Sequence, residues 1–337
     1  MSQLQDRIAG ALAGMVYGDA LGVPGELWPR AKVRARYGHI TEFLDGAADN
    51  IVACYFKAGH YTDDSAQAFV VLNAIEKAGT VPSLKVLADD LIEWVKSMNG
   101  FEINLLGPSS KASLLAWSKG EDAEPVTKLS LTNGAAMRIA PVGCLIDADA
   151  PETIAETVAR VSRVTHSTDV TIAGAAMVAQ AVASGVAGRN WEETLADVKA
   201  IFPIASKKGE PTWAASILAR LEVFEELVLK RREAYDDEAV SRFIYDVIGT
   251  GTMTSESVTA ALALAFWAED PKRAAEIAAN MGGDTDTIGC MAAAICGAHT
   301  GLKGIAPETV EYLEKTNSLN FTELAARVVK TRAVFSL

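Results

Sequence analysis

Apolar residues recur at helical spacing along most of the chain. In the segment 84–98, for example, Leu87, Leu91 and Val95 are four positions apart and fall on one face of a helix. Several such segments begin with Pro or with a Ser or Asp cap and end near Gly. The predicted helices cover residues 4–19, 64–78, 84–98, 109–117, 134–146, 151–164, 169–187, 191–201, 211–229, 237–248, 255–268, 271–281 and 284–300.

No segment alternates apolar and polar residues as a half-buried strand does, although residues 33–43 and 50–61 are irregular and could contain short extended pieces. No Ser/Gly-rich linker divides the chain, and no repeat of fixed period is present. The sequence therefore predicts an all-α fold, formed as a single compact domain over residues 1–337. Such a domain would bring distant segments together at one helix-lined cleft.

Composition narrows the choice of partners and compartment. The net charge of −12 disfavours direct binding to nucleic acid or to an anionic membrane, so an anionic substrate would need metal ions or backbone amides. The most apolar stretch, residues 170–188, contains Gln180 and Ser184, and it is predicted to be a buried core helix. Four cysteines without a Cys-x-x-Cys pair predict reduced thiols and a cytoplasmic location. The sequence carries no signal for an oligomeric state.

Two short acidic motifs, residues 59–65 and 282–289, lie 221 positions apart between Asp63 and Asp284. Each places carboxylates and threonine hydroxyls just before an Ala-rich segment that is predicted to be a helix. One reading is helix capping, for which a single acceptor suffices. The other is a metal site, because hard oxygen ligands of this kind suit magnesium, manganese or calcium and not zinc. Together the motifs offer four carboxylates and two or three hydroxyls, enough for two ions.

Three other segments have the features of a ligand site. Asn133 and Gly134 precede a small-residue segment, where free N–H groups and the positive end of a helix can hold a phosphate. The helix start at residues 107–110 offers similar geometry, or is a simple Pro/Ser start. Arg138 is the one charge in an apolar segment and is either near a ligand or paired with a structural carboxylate. His166, between two helices, either contacts a ligand or acts as a cap.

Two further acids are candidates for proton transfer. Glu26 follows the glycine-rich turn that closes the first predicted helix, where an exposed glutamate at a helix end is the simpler reading. Glu102 stands between two apolar residues and could lie in a cleft wall. Neither a Ser-His-Asp or Cys-His constellation nor a nucleotide-binding glycine loop is present in the sequence.

Together these segments resemble the ADP-ribosylglycohydrolase family, which includes the ADP-ribosyl-acceptor hydrolases and the glycohydrolase that reactivates dinitrogenase reductase. The resemblance implies an orthogonal helical bundle with a binuclear magnesium (or manganese) site in its cleft. The matching segments occur in the family's order and span about residues 5–305. They are residues 18–22 with Glu26, 61–65, 133–138, 165–166 and 283–289.

The resemblance also implies roles for individual residues. The implied metal ligands are Thr62, Asp63, Asp64, Asp284, Asp286 and Thr287. The implied substrate-binding positions are Asn133, Gly134, Ala135, Met137 and His166, to which we add Gly107 and Ser109 from the second helix start. The chain departs from the family pattern at Ser65, where Thr is common, and at Thr132, where Gly is common. A side chain at residue 132 could crowd a diphosphate.

The expected activity is metal-dependent hydrolysis that removes ADP-ribose from a modified protein side chain or from a small ADP-ribosylated acceptor. Glu26 would act on the sugar or the metal shell, and Glu102 is the alternative general base. A second hypothesis is hydrolysis of a smaller ribosyl compound such as a nucleoside. A third is a non-catalytic protein that binds ADP-ribose, for which two metal ions would have little use.

Overall fold

The computed structural model describes residues 1–335 and confirms the all-α prediction. Within these residues, strand-like pairing is limited to three isolated bridges, Trp28–Gly283, Thr132–Met253 and Thr168–Glu210. In chain order, the helices α1 to α17 are Gln3–Gly22, Arg30–Tyr37, Asp63–Ala78, Leu84–Ser97, Pro108–Ser118, Glu124–Thr127, Ala140–Leu145, Pro151–Ser162, Asp169–Ala187, Trp191–Ala205, Ile217–Leu227, Asp237–Phe243, Thr254–Ala268, Pro271–Ala279, Thr285–Thr300, Pro307–Asn317 and Phe321–Val334.

Two predicted helices are shorter than expected, and a third changes its helix type. The segment 134–146 is a 3-10 turn followed by α7, because Pro141 has no N–H to donate and stands near a helix start. The segment 211–229 becomes helical only at α11, because the backbone N–H of Thr212 donates to Asp169 and Ser216 caps the helix. The segment 237–248 changes from α12 to a π-helix over its last five residues. The helices α2, α6, α16 and α17 were not predicted.

The closest helix pair is α1 and α15, and small residues make that approach possible. Gly10 lies against Gly297, and Gly18 lies against Gly289. A methyl group at Gly18 would overlap the backbone carbonyl oxygen of Gly289, which cannot turn away as a side chain can. This seam fixes the start of α15 beside the end of α1, and both ends carry acidic residues.

The rest of the bundle encloses this pair. The helix α9 packs against α7, α8, α10, α13 and α15, and α17 returns to contact α1, α3 and α7. One helix among residues 1–335, α9, is long and apolar enough to cross a membrane, but 94% of its apolar window is buried. This burial is what the prediction of a core helix requires.

The α1–α15 seam generates a stability prediction. We expect Gly18→Ala to destabilise the protein by about 1–3 kcal/mol, because the added methyl group must push the two helix backbones apart. That cost outweighs the gain of about 1 kcal/mol that Ala brings to a helix interior. The measurement is urea unfolding of the metal-free protein followed by circular dichroism.

Gly107→Ala is the matched control for this substitution. A methyl group there meets no atom within 4 Å, so we expect a change below about 1 kcal/mol. A Gly18→Ala protein as stable as the wild type would contradict the close packing of α1 against α15.

Candidate active site

Three chain segments converge at one end of the α1–α15 seam. Thr62 caps α3 by accepting a hydrogen bond from the Asp64 N–H, so that both acids of the first motif fall in the first turn. At the start of α15, Gly283 has a φ of +87°, which allows a turn that a side chain would obstruct. The Leu27 N–H donates to the Gly283 carbonyl at 2.7 Å, which brings the segment that contains Glu26 to the same place.

The carboxylates of these segments form a compact cluster. Carboxylate oxygens of Glu26, Asp284 and Asp286 all lie within 4.8 Å of one another. Asp63 and Asp64 line the same cleft from α3. Glu26 Oε2 and Asp64 Oδ2 are buried and have no hydrogen-bond partner among residues 1–335. Both atoms are therefore available as ligands for a cation.

Burial and mutual repulsion raise the pKa values of these acids. Burial, followed by the charge of Asp286, raises the pKa of Asp284 to about 7. The same two causes raise the pKa values of Glu26, Asp63 and Asp64 well above their usual range. Bound cations would offset this repulsion, so the oxygen donors fit a hard divalent metal.

Asp19 belongs to the site although the sequence analysis gave it no separate role. It is fully buried in α1 and accepts hydrogen bonds from the Thr62 N–H at 2.9 Å and the Ser65 N–H at 3.0 Å. The Ser65 hydroxyl also donates to it at 2.6 Å. Asp19 therefore fixes the first turn of α3. An acid within the apolar stretch 8–22 of this helix was the available signal in the sequence.

The cleft has a volume of about 270 Å³, with the acid cluster on one side. Asn133 holds this side together, because its amide group donates to Asp284 and to the Ser257 hydroxyl. No Lys, Arg or His of the described residues lines the cleft. The apolar part of the lining consists of Leu27, Ile51, Val52, Leu105, Leu106 and Met137.

The predicted site residues separate into three groups. Those that line the cleft are Glu26, Asp63, Asp64, Gly107, Asn133, Gly134, Met137, Asp284, Asp286 and Thr287. Those outside the lining are Thr62, Ser109, Ala135 and His166; Thr62, Ala135 and His166 are buried, and Ser109 and His166 are hydrogen-bonded to the lining residue Thr132. Glu102 is exposed on a turn, and it is not among the residues that line the cleft. The structure does not bring it to the acid cluster.

The family model described as ADP-ribosylglycohydrolase matches residues 1–334, and the chain therefore belongs to that family of enzymes, as the resemblance predicted.

Individual relatives agree with this assignment. The chain is 40% identical to the uncharacterized protein YegU of Escherichia coli (strain K12), over 97% of both chains. It is 25% identical to the ADP-ribosylarginine hydrolase Tri1 of Pseudomonas putida (strain GB-1), over 92% of this chain and 74% of that one. A solved structure titled ADP-ribosylglycohydrolase-related protein complex has the same fold, with a TM-score of 0.72 at 20% identity. That match covers 98% of this chain and 100% of the other.

The charge of Asp286 should lower the stability of the protein when no metal is bound. We expect Asp286→Asn to stabilise the metal-free protein by on the order of 1–3 kcal/mol, because it removes the charge that repels every other acid of the cluster. Magnesium should raise the melting temperature of the wild type and leave that of the variant nearly unchanged. Differential scanning calorimetry with EDTA or magnesium measures both effects.

Asp89→Asn is the control, because Asp89 is exposed and pairs only with Lys85 on the surface. Its stability should change by a few tenths of a kcal/mol, with a normal response to magnesium. An Asp286→Asn protein that magnesium stabilises as much as the wild type would contradict a metal site at this cluster.

The buried His166 should make the stability of the folded protein depend on pH. Burial, followed by the charge of Arg138, lowers its pKa to about 3. The folded protein therefore keeps His166 neutral while the unfolded chain takes up a proton near pH 6.5, so this contribution to stability is lost as the pH falls. Between pH 7 and pH 5 we expect a loss of about 2 kcal/mol from this group.

Urea unfolding at the two pH values, for the wild type and His166→Gln, isolates this contribution. The other titrating groups are common to both proteins, so their contributions cancel in the comparison. The wild type should lose about 2 kcal/mol more than the variant. Equal losses would show that His166 titrates normally in the folded protein.

Proposed function

We propose that this protein is a metal-dependent glycohydrolase that removes ADP-ribose from a modified protein side chain or a small ADP-ribosylated acceptor. The observation that carries the proposal is the cluster of buried carboxylates in the cleft of a chain from this family. Two of their oxygens have no hydrogen-bond partner in the described part of the chain. The residues that would hold two magnesium ions (or manganese) are Glu26, Thr62, Asp63, Asp64, Asp284, Asp286 and Thr287.

A bound pair of divalent ions would orient the hydroxyls of a ribose and lower the pKa of a water molecule. The chain's own residues set the rest of the arrangement. Asn133 holds Asp284, and Asp19 holds the turn that presents Asp63 and Asp64. Glycoside hydrolysis passes through an oxocarbenium-like state, which neighbouring carboxylates stabilise. These contacts support hydrolysis of a glycosidic bond at C1 of a ribose bound beside the acid cluster.

Glu26 is the carboxylate that we propose for proton transfer or for the metal shell. It is buried beside Asp284 and Asp286, and its Oε2 has no partner among the described residues. Glu102, the alternative candidate, is exposed and lies outside the cleft lining. We therefore assign the role to Glu26 and use Glu102 as the comparison.

An arginine-linked acceptor is the first one to test. The relative Tri1 is named an ADP-ribosylarginine hydrolase. A guanidinium group is cationic, and the cleft of this chain is lined by acids without any Lys, Arg or His among the described residues. Both observations favour a cationic leaving group. The diphosphate of the substrate would then depend on metal ions and on backbone N–H groups near Gly134.

A smaller ribosyl compound is the second candidate, and two observations favour it. Thr132 puts a side chain on the cleft wall where the family often has glycine. The cleft volume of about 270 Å³ is just below the usual range for ligand pockets, about 300–1,000 Å³. The Thr132 hydroxyl, however, is bonded to Ser109 and His166, each at 3.0 Å, which turns it toward the wall.

The test is incubation of the purified protein with ADP-ribosylated arginine, ADP-ribosylated serine, O-acetyl-ADP-ribose and plain nucleosides, followed by chromatography of the products. We expect magnesium-dependent release of ADP-ribose that EDTA abolishes. Glu26→Gln should lower kcat at least ~100-fold, as the loss of a general acid or base does. Glu102→Gln, the matched control, should retain kcat within about twofold, because Glu102 lies outside the cleft lining.

Different outcomes separate the candidates. Release of a base from nucleosides alone would favour the second candidate. Full ADP-ribose release in EDTA would contradict metal dependence, and unchanged turnover of Glu26→Gln would contradict the role of that carboxylate.

A further inference from the structure

A chain of buried hydrogen bonds passes beneath the cleft, and it begins at the acid cluster. The Gln67 amide nitrogen donates to Asp63 Oδ2 at 2.9 Å. Arg138 donates through one guanidinium nitrogen to Gln67 Oε1 at 2.7 Å, and through the other to Thr165 Oγ1, also at 2.7 Å. Gln67, Arg138 and Thr165 are at most 1% exposed. The guanidinium group therefore bridges two elements without contact with solvent.

The second half of this hydrogen-bond chain ends at Thr132, another residue that lines the cleft. Thr165 Oγ1 lies 2.8 Å from His166 Nδ1, and His166 Nε2 lies 3.0 Å from Thr132 Oγ1. The Thr132 hydroxyl donates to Ser109 Oγ at 3.0 Å. Because Thr132 lines the cleft, these hydrogen bonds connect Asp63, a candidate metal ligand, to a part of the cleft where substrate would bind.

Arg138 determines the orientation of Gln67. A guanidinium group only donates hydrogen bonds, so the carbonyl oxygen of Gln67 must face it. The NH₂ group of Gln67 then faces Asp63, where it can donate to a carboxylate. A flipped amide would put two donors together at Arg138 and two acceptors together at Asp63. One carboxylate oxygen of Asp63 is therefore held by a fixed donor, and its other oxygen remains for the cleft.

Arg138 and Thr165 together set the tautomer of His166. Arg138 occupies one of the two lone pairs of Thr165 Oγ1, and among the described residues His166 Nδ1 is the acceptor at hydrogen-bond distance from the Thr165 hydroxyl hydrogen. His166 then carries its proton on Nε2 and donates to Thr132. The Thr132 hydroxyl can consequently donate onward to Ser109 or to a ligand. From Arg138 to Ser109, each group therefore donates to the next one along the series of hydrogen bonds.

The surroundings of Arg138 show that it is not part of a structural ion pair with any described residue. No carboxylate of the described residues lies within salt-bridge distance of Arg138, and its Nε is buried without a partner. Burial lowers its pKa to about 10, so it is still a cation at neutral pH. Asp63 is the charge that favours its protonated form. The cation thus acts on the acid cluster through Gln67.

We propose that Arg138 is a positioning residue for this chain of hydrogen bonds. It fixes which group donates and which accepts toward Asp63 and toward Thr132, so that Asp63 is held for a cation and Thr132 for the substrate. The part that concerns the cation rests on the proposed function. The part that concerns Thr132 and His166 does not, because the tautomer of His166 is a property of the protein alone.

The first test is the tautomer of His166 in protein labelled with ¹⁵N at histidine, which has only four such residues. We expect a neutral Nε2–H form in the wild type at pH 7. Thr165→Val should replace this pure form by a mixture, because Nδ1 loses its donor. Thr157→Val is the matched control, since Thr157 is fully buried and its hydroxyl has no hydrogen-bond partner within residues 1–335. An Nδ1–H tautomer in the wild type would overturn the proposal without any variant.

The second test is the affinity for Mn²⁺, measured by electron paramagnetic resonance on protein whose folding is checked by circular dichroism. Gln67→Met keeps the volume and removes both hydrogen bonds, and we expect it to weaken Mn²⁺ binding ~10–100-fold, as loss of a ligand's hydrogen-bond partner does. Gln180→Met, at a buried glutamine of α9 that bonds Ala148 and Ser184, should leave the affinity unchanged.

Arg138→Lys tests the guanidinium itself, because it keeps the charge but cannot bridge both partners in the same way. We expect it to weaken Mn²⁺ binding and to mix the tautomers of His166. Affinities of Gln67→Met and Arg138→Lys within twofold of the wild type would overturn the proposal. If the wild type binds no Mn²⁺, the proposed function fails. The tautomer of His166 then tests by itself whether the hydrogen bonds from Arg138 to Thr132 have the proposed donors and acceptors.

Discussion

The repulsion between buried carboxylates is the constraint on which the rest of this structure depends. At an effective dielectric constant of about 20, two charges 4.8 Å apart repel by about 3–4 kcal/mol, and Glu26, Asp284 and Asp286 form three such pairs. A hydrogen bond to a charged group contributes about 1.5–3 kcal/mol. The donors from Asn133 and Gln67 therefore cannot offset the repulsion alone, which is the physical argument for bound cations.

The fold provides a rigid frame for this cluster. The glycine seam between α1 and α15 leaves no space for the helices to shift, so the start of α15 stays beside the loop that carries Glu26. Asp19 then links α1 to the start of α3. Each acidic segment is thus attached to the same central helix. This arrangement explains how three helix ends can present like charges to one cleft in a stable protein.

Much of this arrangement could be predicted from the sequence, but some of it depends on contacts between distant residues. The helical periodicity and the two acidic motifs gave the all-α fold and the convergence of the motifs. The bond from Asn133 to Asp284 joins residues 151 positions apart, so the local pattern at Asn133 suggested only a phosphate site. Glu102 looked suitable between two apolar neighbours, yet the chain turns it outward. The roles of the ligands and of the substrate wall are still predictions.

The most direct measurement is a crystal structure of the protein soaked with Mn²⁺, with an anomalous difference map recorded near the manganese absorption edge. We expect two peaks within about 2.0–2.4 Å of oxygens from Glu26, Asp64, Asp284 or Asp286. The contradicting result is a map without a peak in the cleft and with the same carboxyl groups paired through short oxygen–oxygen hydrogen bonds. In that case protons, and not metal ions, would neutralise the cluster.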